Sequence, residues 1–108
     1  MALAEKKCEA CVSAKRSLTR PEFESMLAEL QGWEVIDNHH LLKKYKTINF
    51  AEALHLANKV GALAEDEGHH PDLLVRWGEL KIEMWTHKVD GLTEADFVLA
   101  AKIDRILA

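Results

Sequence analysis

The chain has 108 residues, of which 48% are hydrophobic and 30% charged, so it is long enough for one domain and too short for several. Its formal charge is −4, which argues against a nucleic-acid-binding protein, because such proteins need a cationic surface. No apolar run approaches the roughly 20 residues of a membrane span, and residues 1–17 lack the apolar stretch of a signal peptide. We therefore expect a cytoplasmic protein that binds neither a membrane nor nucleic acid.

The N-terminal segment contains both cysteines of the chain, Cys8 and Cys11, in a single C-x-x-C motif. A structural zinc site needs four ligands, and no second cysteine pair is present. A thioredoxin-like redox motif needs a preceding strand and a following helix, which the sequence does not predict. We interpret residues 1–17 as a flexible arm carrying reduced thiols, with metal or redox chemistry as the alternative, and residues 18–108 as a single domain.

Three helices are predicted from their first residues. Each begins at a capping residue that has an acidic residue three positions later, which is the pattern of a capping box; the pairs are Thr19 with Glu22, Asn49 with Glu52, and Thr93 with Asp96. Apolar residues then recur at helical spacing. The first helix is expected to end near Gly32 and the second near Gly68, while the third continues to the C-terminus.

Two hairpins are predicted between the helices. The first joins residues 33–36 to residues 41–48, and the second joins residues 73–77 to residues 80–87, with Gly78 in its turn. In the last of these strands, residues 80, 82, 84 and 86 face one side and residues 81, 83, 85 and 87 the other. The predicted fold is α+β: a four-stranded antiparallel sheet with three helices on one face, in the order α-β-β-α-β-β-α.

Histidines are the candidates for chemistry, since imidazole exchanges protons near neutral pH. His69 and His70 follow the end of the second helix, and Pro71 restricts the backbone of His70. Glu65 lies one helical turn before His69, where a carboxylate can orient an imidazole. His87 closes the last predicted strand and can lie beside this corner if the sheet and helix pack together. The spacing therefore predicts an acid–base pocket.

Each candidate also has a purely structural or a different chemical interpretation. The His69-His70-Pro71 segment fits a polar loop, and His69, His70 and His87 with a water molecule fit a zinc site. His39 and His40 fit a solvated turn, and His55 a half-exposed helix face. Asp96 fits a helix cap, and Trp77 and Trp85 fit sheet packing. The residue pattern alone leaves these alternatives open.

The segment from Glu65 to Asp96 resembles the signature of the pterin-4a-carbinolamine dehydratases. In that family an acidic residue is followed at set intervals by His-His-Pro, an aromatic residue, a histidine and an aspartate. This chain has those residue types at matching spacing: Glu65, His69-His70-Pro71, Trp77, His87 and Asp96. With Gly32-Trp33 after the first helix, the resemblance covers about residues 18–107, and no signature position departs from it.

The resemblance implies a hydro-lyase that dehydrates 4a-hydroxytetrahydropterin to the quinonoid dihydropterin, in the recycling of tetrahydropterin for aromatic amino acid hydroxylases. It implies that His69, His70 and His87 are catalytic, that two of them act as acid and base, and that His70 orients the pterin. Supporting roles fall to Glu65 beside His69, to Pro71 and Trp77 in the pocket wall, and to Asp96, which fixes the third helix beside His87. Neither a metal ion nor a cofactor is expected, because the pterin is the substrate.

The resemblance further implies a homodimer or a homotetramer. It also brings an alternative function, because some members act as protein-binding modules. Animal members serve as dimerisation cofactors of a transcription factor, and degenerate relatives assist Rubisco assembly. A second protein partner is therefore an alternative to catalysis or an addition to it.

Overall fold

The computed structural model describes residues 3–5 and 16–107. Three α-helices and four strands follow one another in the predicted order: α1 (Arg20–Leu27), β1 (Glu34–Ile36), β2 (His40–Lys46), α2 (Phe50–Glu67), β3 (Asp72–Arg76), β4 (Glu79–Met84) and α3 (Glu94–Leu107). Two short 3-10 turns cover Leu3–Glu5 and His87–Val89. The α+β prediction is confirmed.

The helices begin where the capping residues predicted. The Asn49 side chain accepts a hydrogen bond from the Glu52 backbone at 2.8 Å, and the carboxylate of Glu22 accepts one from the Thr19 backbone at 2.8 Å. Helix α2 ends at Gly68, which takes the left-handed conformation (φ 69°) that favours glycine. Helix α1 is shorter than its apolar pattern predicted, because it ends at Leu27 and residues 28–32 form turns.

The four strands form one antiparallel sheet in the order β1-β2-β4-β3. The alternation predicted for β4 is confirmed, since Leu80, Ile82 and Met84 are buried and the residues between them are half-buried. Helix α3 contributes more residues to the core than any other element, and its Phe97 stacks on Phe23 of α1 with the ring centroids 5.6 Å apart. The three helices thus cover one face of the sheet, and the other face carries charged side chains together with apolar ones such as Leu74.

The chain leaves the sheet earlier than predicted. Strand β4 ends at Met84, and His87 begins a 3-10 turn instead of closing the strand. Thr86 and Gly91 form an isolated antiparallel bridge across this turn, so the segment folds back toward α3. The turn also directs His87 to the end of the sheet where α2 stops.

The N-terminal arm is described only in part. Cys8 and Cys11 lie outside the described residues, as does most of the predicted arm. In the part that is described, Leu3 is buried at 2% exposure and belongs to the core cluster. Among the described helices, none is long and apolar enough to cross a membrane.

Candidate active site

A buried histidine–carboxylate pair joins the end of α2 to the start of α3. His69 Nε2 lies 2.6 Å from Asp96 Oδ1, and the two side chains are 7% and 0% exposed. Because a carboxylate only accepts hydrogen bonds, His69 donates through Nε2–H. This bond fixes the plane of the ring and leaves Nδ1 as the nitrogen that can exchange a proton with a substrate.

Asp96 has hydrogen bonds on its second oxygen as well. Its Oδ2 accepts from the Thr93 backbone N–H and from the Thr86 hydroxyl, both at 2.9 Å. Asp96 therefore caps α3 through the Thr93 backbone, as predicted, and it also holds His69 from across the fold. A buried carboxylate needs such partners, because an unpaired charge in the interior is very costly.

Local backbone structure brings the three predicted histidines together. The left-handed Gly68 turns the chain sharply out of α2, so His69 points into the protein while His70 is exposed. A cleft of about 340 Å³ lies between this corner and the segment after β4. It is lined by Gly68, His69, His70, Trp85, Thr86, His87 and Lys88.

Two of the predicted supporting residues have roles that differ from the prediction. Glu65 contacts His70, not His69: His70 Nε2 donates to Glu65 Oε2, and both side chains are largely exposed. Asp96 is the carboxylate that holds His69, in addition to capping α3. The prediction that Glu65 holds His69 was wrong. Glu65 lies one helical turn before His69 in the sequence, but the left-handed Gly68 turns the chain between them.

Two other predicted residues do not line the cleft. Trp77 lies in the turn between β3 and β4, at the opposite end of that hairpin, and it is 74% exposed. Pro71 is half-buried and leads from His70 into β3 without reaching the cleft wall. Within this chain the pocket wall predicted for Trp77 is instead provided by Trp85.

The sequence interpretation also missed a ring cluster beside His87. Trp85 stacks on His87 with centroids 4.7 Å apart and planes 17° apart. His39 and His40, interpreted above as a solvated turn, pack against the same indole at 5.2 and 5.9 Å. The strand pattern placed Trp85 and His87 on one face, but it gave no sign that residues 39 and 40 reach them. His55, by contrast, is exposed on α2.

The zinc interpretation can be compared with the geometry. Within residues 3–5 and 16–107, no three histidine, cysteine, aspartate or glutamate side chains are placed to hold one metal ion. His69 and His70 direct Nε2 at different carboxylates.

The cleft combines the groups that general acid–base chemistry needs. One imidazole, that of His69, is held in a fixed orientation by a buried carboxylate. A second imidazole, His87, is exposed across the cleft. Two such groups on one small cleft are able to protonate a leaving oxygen and to accept a proton from a neighbouring atom of the same molecule.

The sequence is similar to a known family and to several of its members. The sequence model of the family described as "Pterin 4 alpha carbinolamine dehydratase" matches residues 16–106. A protein of Rubrobacter xylanophilus is 50% identical over 104 residues, covering 96% of this chain and 97% of its own. One of Rickettsia bellii is 52% identical over 103 residues, covering 94% and 91%. Both are provisionally named pterin-4-alpha-carbinolamine dehydratase.

Solved structures are similar over most of the chain. A crystal structure from Brucella melitensis, described as a transcriptional coactivator/pterin dehydratase, has a TM-score of 0.79 at 26% identity and covers 86% of this chain and all of its own. A pterin dehydratase-like protein described as a RuBisCO assembly factor has a TM-score of 0.59 at 20% identity, covers 70% of this chain and 89% of its own, and shows a shared fold alone. From the match over residues 16–106 and the identities near 50%, the chain belongs to the pterin-4-alpha-carbinolamine dehydratase family, a family of hydro-lyases.

Proposed function

We propose that this protein dehydrates 4a-hydroxytetrahydropterin to the quinonoid dihydropterin, using the histidines of the cleft as general acid and base. The observation that supports the proposal most directly is that His69, His70 and His87 line one cleft. His87 comes from a segment that is distant in the sequence from the other two. The reaction breaks one C–O bond and needs two proton transfers, which is the chemistry that paired imidazoles supply.

The reaction needs one proton donor and one proton acceptor, and the proposal gives one histidine to each role. The hydroxyl on the ring carbon takes a proton and leaves as water, driven by the lone pair of the adjacent ring nitrogen, and that nitrogen then loses its own proton. His69 and His87 are the proposed pair: one donates as the imidazolium while the other accepts as the neutral ring. His70, held by Glu65, is proposed to orient the pterin.

The proposal is tested by replacing each histidine of the pair. His69→Ala and His87→Ala are each expected to lower kcat at least about tenfold, which corresponds to about 1.4 kcal/mol of transition-state stabilisation, with the fold retained by circular dichroism. His55→Ala is the matched control, because His55 is exposed on α2. Dehydration at the parent rate by both cleft variants would overturn the proposal.

The proposed reaction uses no metal ion and no cofactor, and it is placed in the cytoplasm; these are predictions from the sequence and the family resemblance. The same assay with and without a chelator tests the first of them. An unchanged rate in the chelator supports proton transfer by histidine alone. A rate that falls in the chelator and returns with added zinc would overturn it and restore the zinc interpretation.

A protein-binding role is the second candidate function. It is supported by the Brucella structure, which is described as both a coactivator and a dehydratase. An experiment can separate the two functions, because His69→Ala is expected to impair catalysis without altering the surface away from the cleft. A partner that is captured in stoichiometric amounts from the native cell by both the parent and this variant would indicate a binding function beside the enzymatic one.

We also propose that the chain forms a homo-oligomer, either a dimer or a tetramer. The supporting observation is a set of exposed apolar side chains on α2, the loop before it and the β3–β4 hairpin: Ile48, Phe50, Leu54, Leu74 and Trp77. A bond between Thr47 N and Gly78 O (2.9 Å) joins the loop that carries Ile48 to the turn that carries Trp77. Burying exposed apolar side chains in a partner stabilises a small domain.

Sedimentation velocity tests the oligomer and its location. Ile48→Lys combined with Trp77→Lys is expected to shift the protein to a monomer, since charged side chains at both positions oppose burial. Asn58→Lys is the control, because it adds the same charge at an exposed polar position of α2. A parent protein that sediments as a monomer at micromolar concentration would contradict the proposal.

A further inference from the structure

The indole of Trp85 contacts three imidazoles, those of His39, His40 and His87. It lines the cleft and stacks on the His87 imidazole, with centroids 4.7 Å apart and planes 17° apart. His39 and His40 contact the same indole at 5.2 and 5.9 Å, in tilted orientations of 45° and 57°. Near-parallel stacking covers one face of the His87 ring, so that ring reaches a substrate through its edge, where the nitrogens are.

The turn between β1 and β2 explains how two adjacent histidines reach one indole. Successive residues of a strand normally point to opposite sides. Here Asp37 and Asn38 have left-handed backbones (φ 53° and 54°), and the His39 N–H bonds the Ile36 carbonyl at 2.8 Å. Both imidazoles therefore project from an irregular hairpin end. The pairing of β2 with β4 places this hairpin end beside the end of β4, and Trp85 is the next residue after β4.

Polar contacts hold this hairpin end to the segment that carries His87. His39 Nδ1 and His40 Nδ1 are 3.1 Å apart. His39 Nε2 lies 2.8 Å from Asp90 Oδ1, and Asp90 ends the 3-10 turn that His87 begins. His40 Nε2 lies 3.3 Å from Glu83 Oε2 on β4. The hairpin end thus contacts the His87 segment on both sides, at Trp85 before it and at Asp90 after it.

We propose that Trp85, supported by His39 and His40, is a positioning residue that sets the orientation of His87 for proton transfer. This inference rests on the proposed function, because it gives His87 a reacting role. His87 is exposed, and an exposed side chain samples several rotamers unless a neighbour restricts it. Stacking on an indole that two further imidazoles contact supplies that restriction. Among the described residues no hydrogen bond to a ring nitrogen of His87 is seen, so both nitrogens stay available for chemistry.

The test compares Trp85→Leu with Trp85→Phe. The leucine variant removes the stacked ring, whereas phenylalanine keeps an aromatic face. We expect kcat to fall about tenfold or more in the leucine variant, because small misplacements of a reacting group are costly, and to recover largely in the phenylalanine variant. KM should change much less than kcat, which separates loss of positioning from loss of substrate binding.

A spectroscopic measurement tests the stacking independently of catalysis. Protons above an aromatic face are shifted upfield in NMR, so the His87 ring protons, assigned by their absence in His87→Ala, should resonate upfield of those of the exposed His55. In Trp85→Leu they should move downfield toward the His55 positions. The matched control is Trp77→Leu, because Trp77 lies at the opposite end of the β3–β4 hairpin, and it should leave the His87 resonances unchanged.

The hairpin end is tested by the double variant His39→Ala/His40→Ala. It should show the same downfield movement of His87 and a lower kcat, while His55→Ala shows neither change. Unchanged His87 resonances in Trp85→Leu would overturn the inference. So would a parental kcat in Trp85→Leu if the kcat of His87→Ala is lowered. A parental rate in His87→Ala itself would instead refute the catalytic role, with the resonances still reporting whether the stack exists.

Discussion

Asp96→Asn is the substitution that most sharply separates the catalytic from the structural part of the site. Asp96 is fully buried and accepts three hydrogen bonds, from His69, Thr86 and the Thr93 backbone. In the asparagine variant the amide oxygen can still accept from Thr86 and Thr93, which leaves the amide NH2 facing His69 Nε2–H. Two donors then oppose each other, so His69 must turn or change tautomer.

The substitution should lower both the stability and the activity, by different amounts. One hydrogen bond to a charged group is lost, which costs about 1.5–3 kcal/mol of folding free energy, within the roughly 5–15 kcal/mol of a typical domain. The activity loss should be larger, about 10²–10⁴-fold in kcat, because that is the range that a positioned acid or base contributes. Alanine at position 96 would remove the acceptor of all three bonds at once, so asparagine is the informative replacement.

The assay measures initial dehydration rates beside urea unfolding of the same protein. Thr93→Val is the matched control: it removes the 2.8 Å contact between the Thr93 and Thr86 hydroxyls but no bond to Asp96 or His69. We expect it to lose about 1 kcal/mol of stability and to keep kcat within a few fold of the parent. An Asp96→Asn protein with parental kcat would show that the His69–Asp96 pair serves stability alone and would refute its proposed role in catalysis.

Two further predictions concern stability. Gly68→Ala should cost about 1–2 kcal/mol in urea unfolding, because alanine is strained at φ 69° although its Cβ meets no atom within 4 Å; Gly68→Asn should cost less, and equal stability of all three proteins would refute this. Burial, and then the charge of Asp104 and the hydrogen bond to it at 3.1 Å, raise the pKa of Tyr45. The unfolded chain therefore releases this proton near pH 10 while the folded protein keeps it, so the stabilisation is complete below about pH 10 and declines as pH rises further. Tyr45→Phe should be less stable than the parent at pH 8, by about 1 kcal/mol, and the difference should shrink above pH 10. Phenolate absorption reports this titration directly, since the chain has a single tyrosine, and a titration near pH 10 in the folded state would contradict it.

Local features of the sequence predicted most of the fold. The caps at Thr19, Asn49 and Thr93 depend on contacts three residues apart, and the end of α2 depends on the backbone freedom of one glycine. The alternation in β4 follows from the two-residue period of a strand. Such signals act within a few residues, so they can be interpreted without the rest of the chain. The same holds for the His69-His70-Pro71 segment, whose position after the helix end was predicted correctly.

The pairing of side chains in the site was decided by tertiary structure. His69 meets Asp96, 27 residues away, because the left-handed Gly68 turns it inward while α3 starts beside it; the nearer Glu65 meets the exposed His70 instead. The register of β2 against β4 pairs Leu41 with Met84 and so brings the β1–β2 turn to Trp85. The sequence by itself determined which residues can exchange protons and which elements carry them. The packing of elements distant in the chain decided which carboxylate holds which imidazole, because that choice depends on distances that no local pattern encodes.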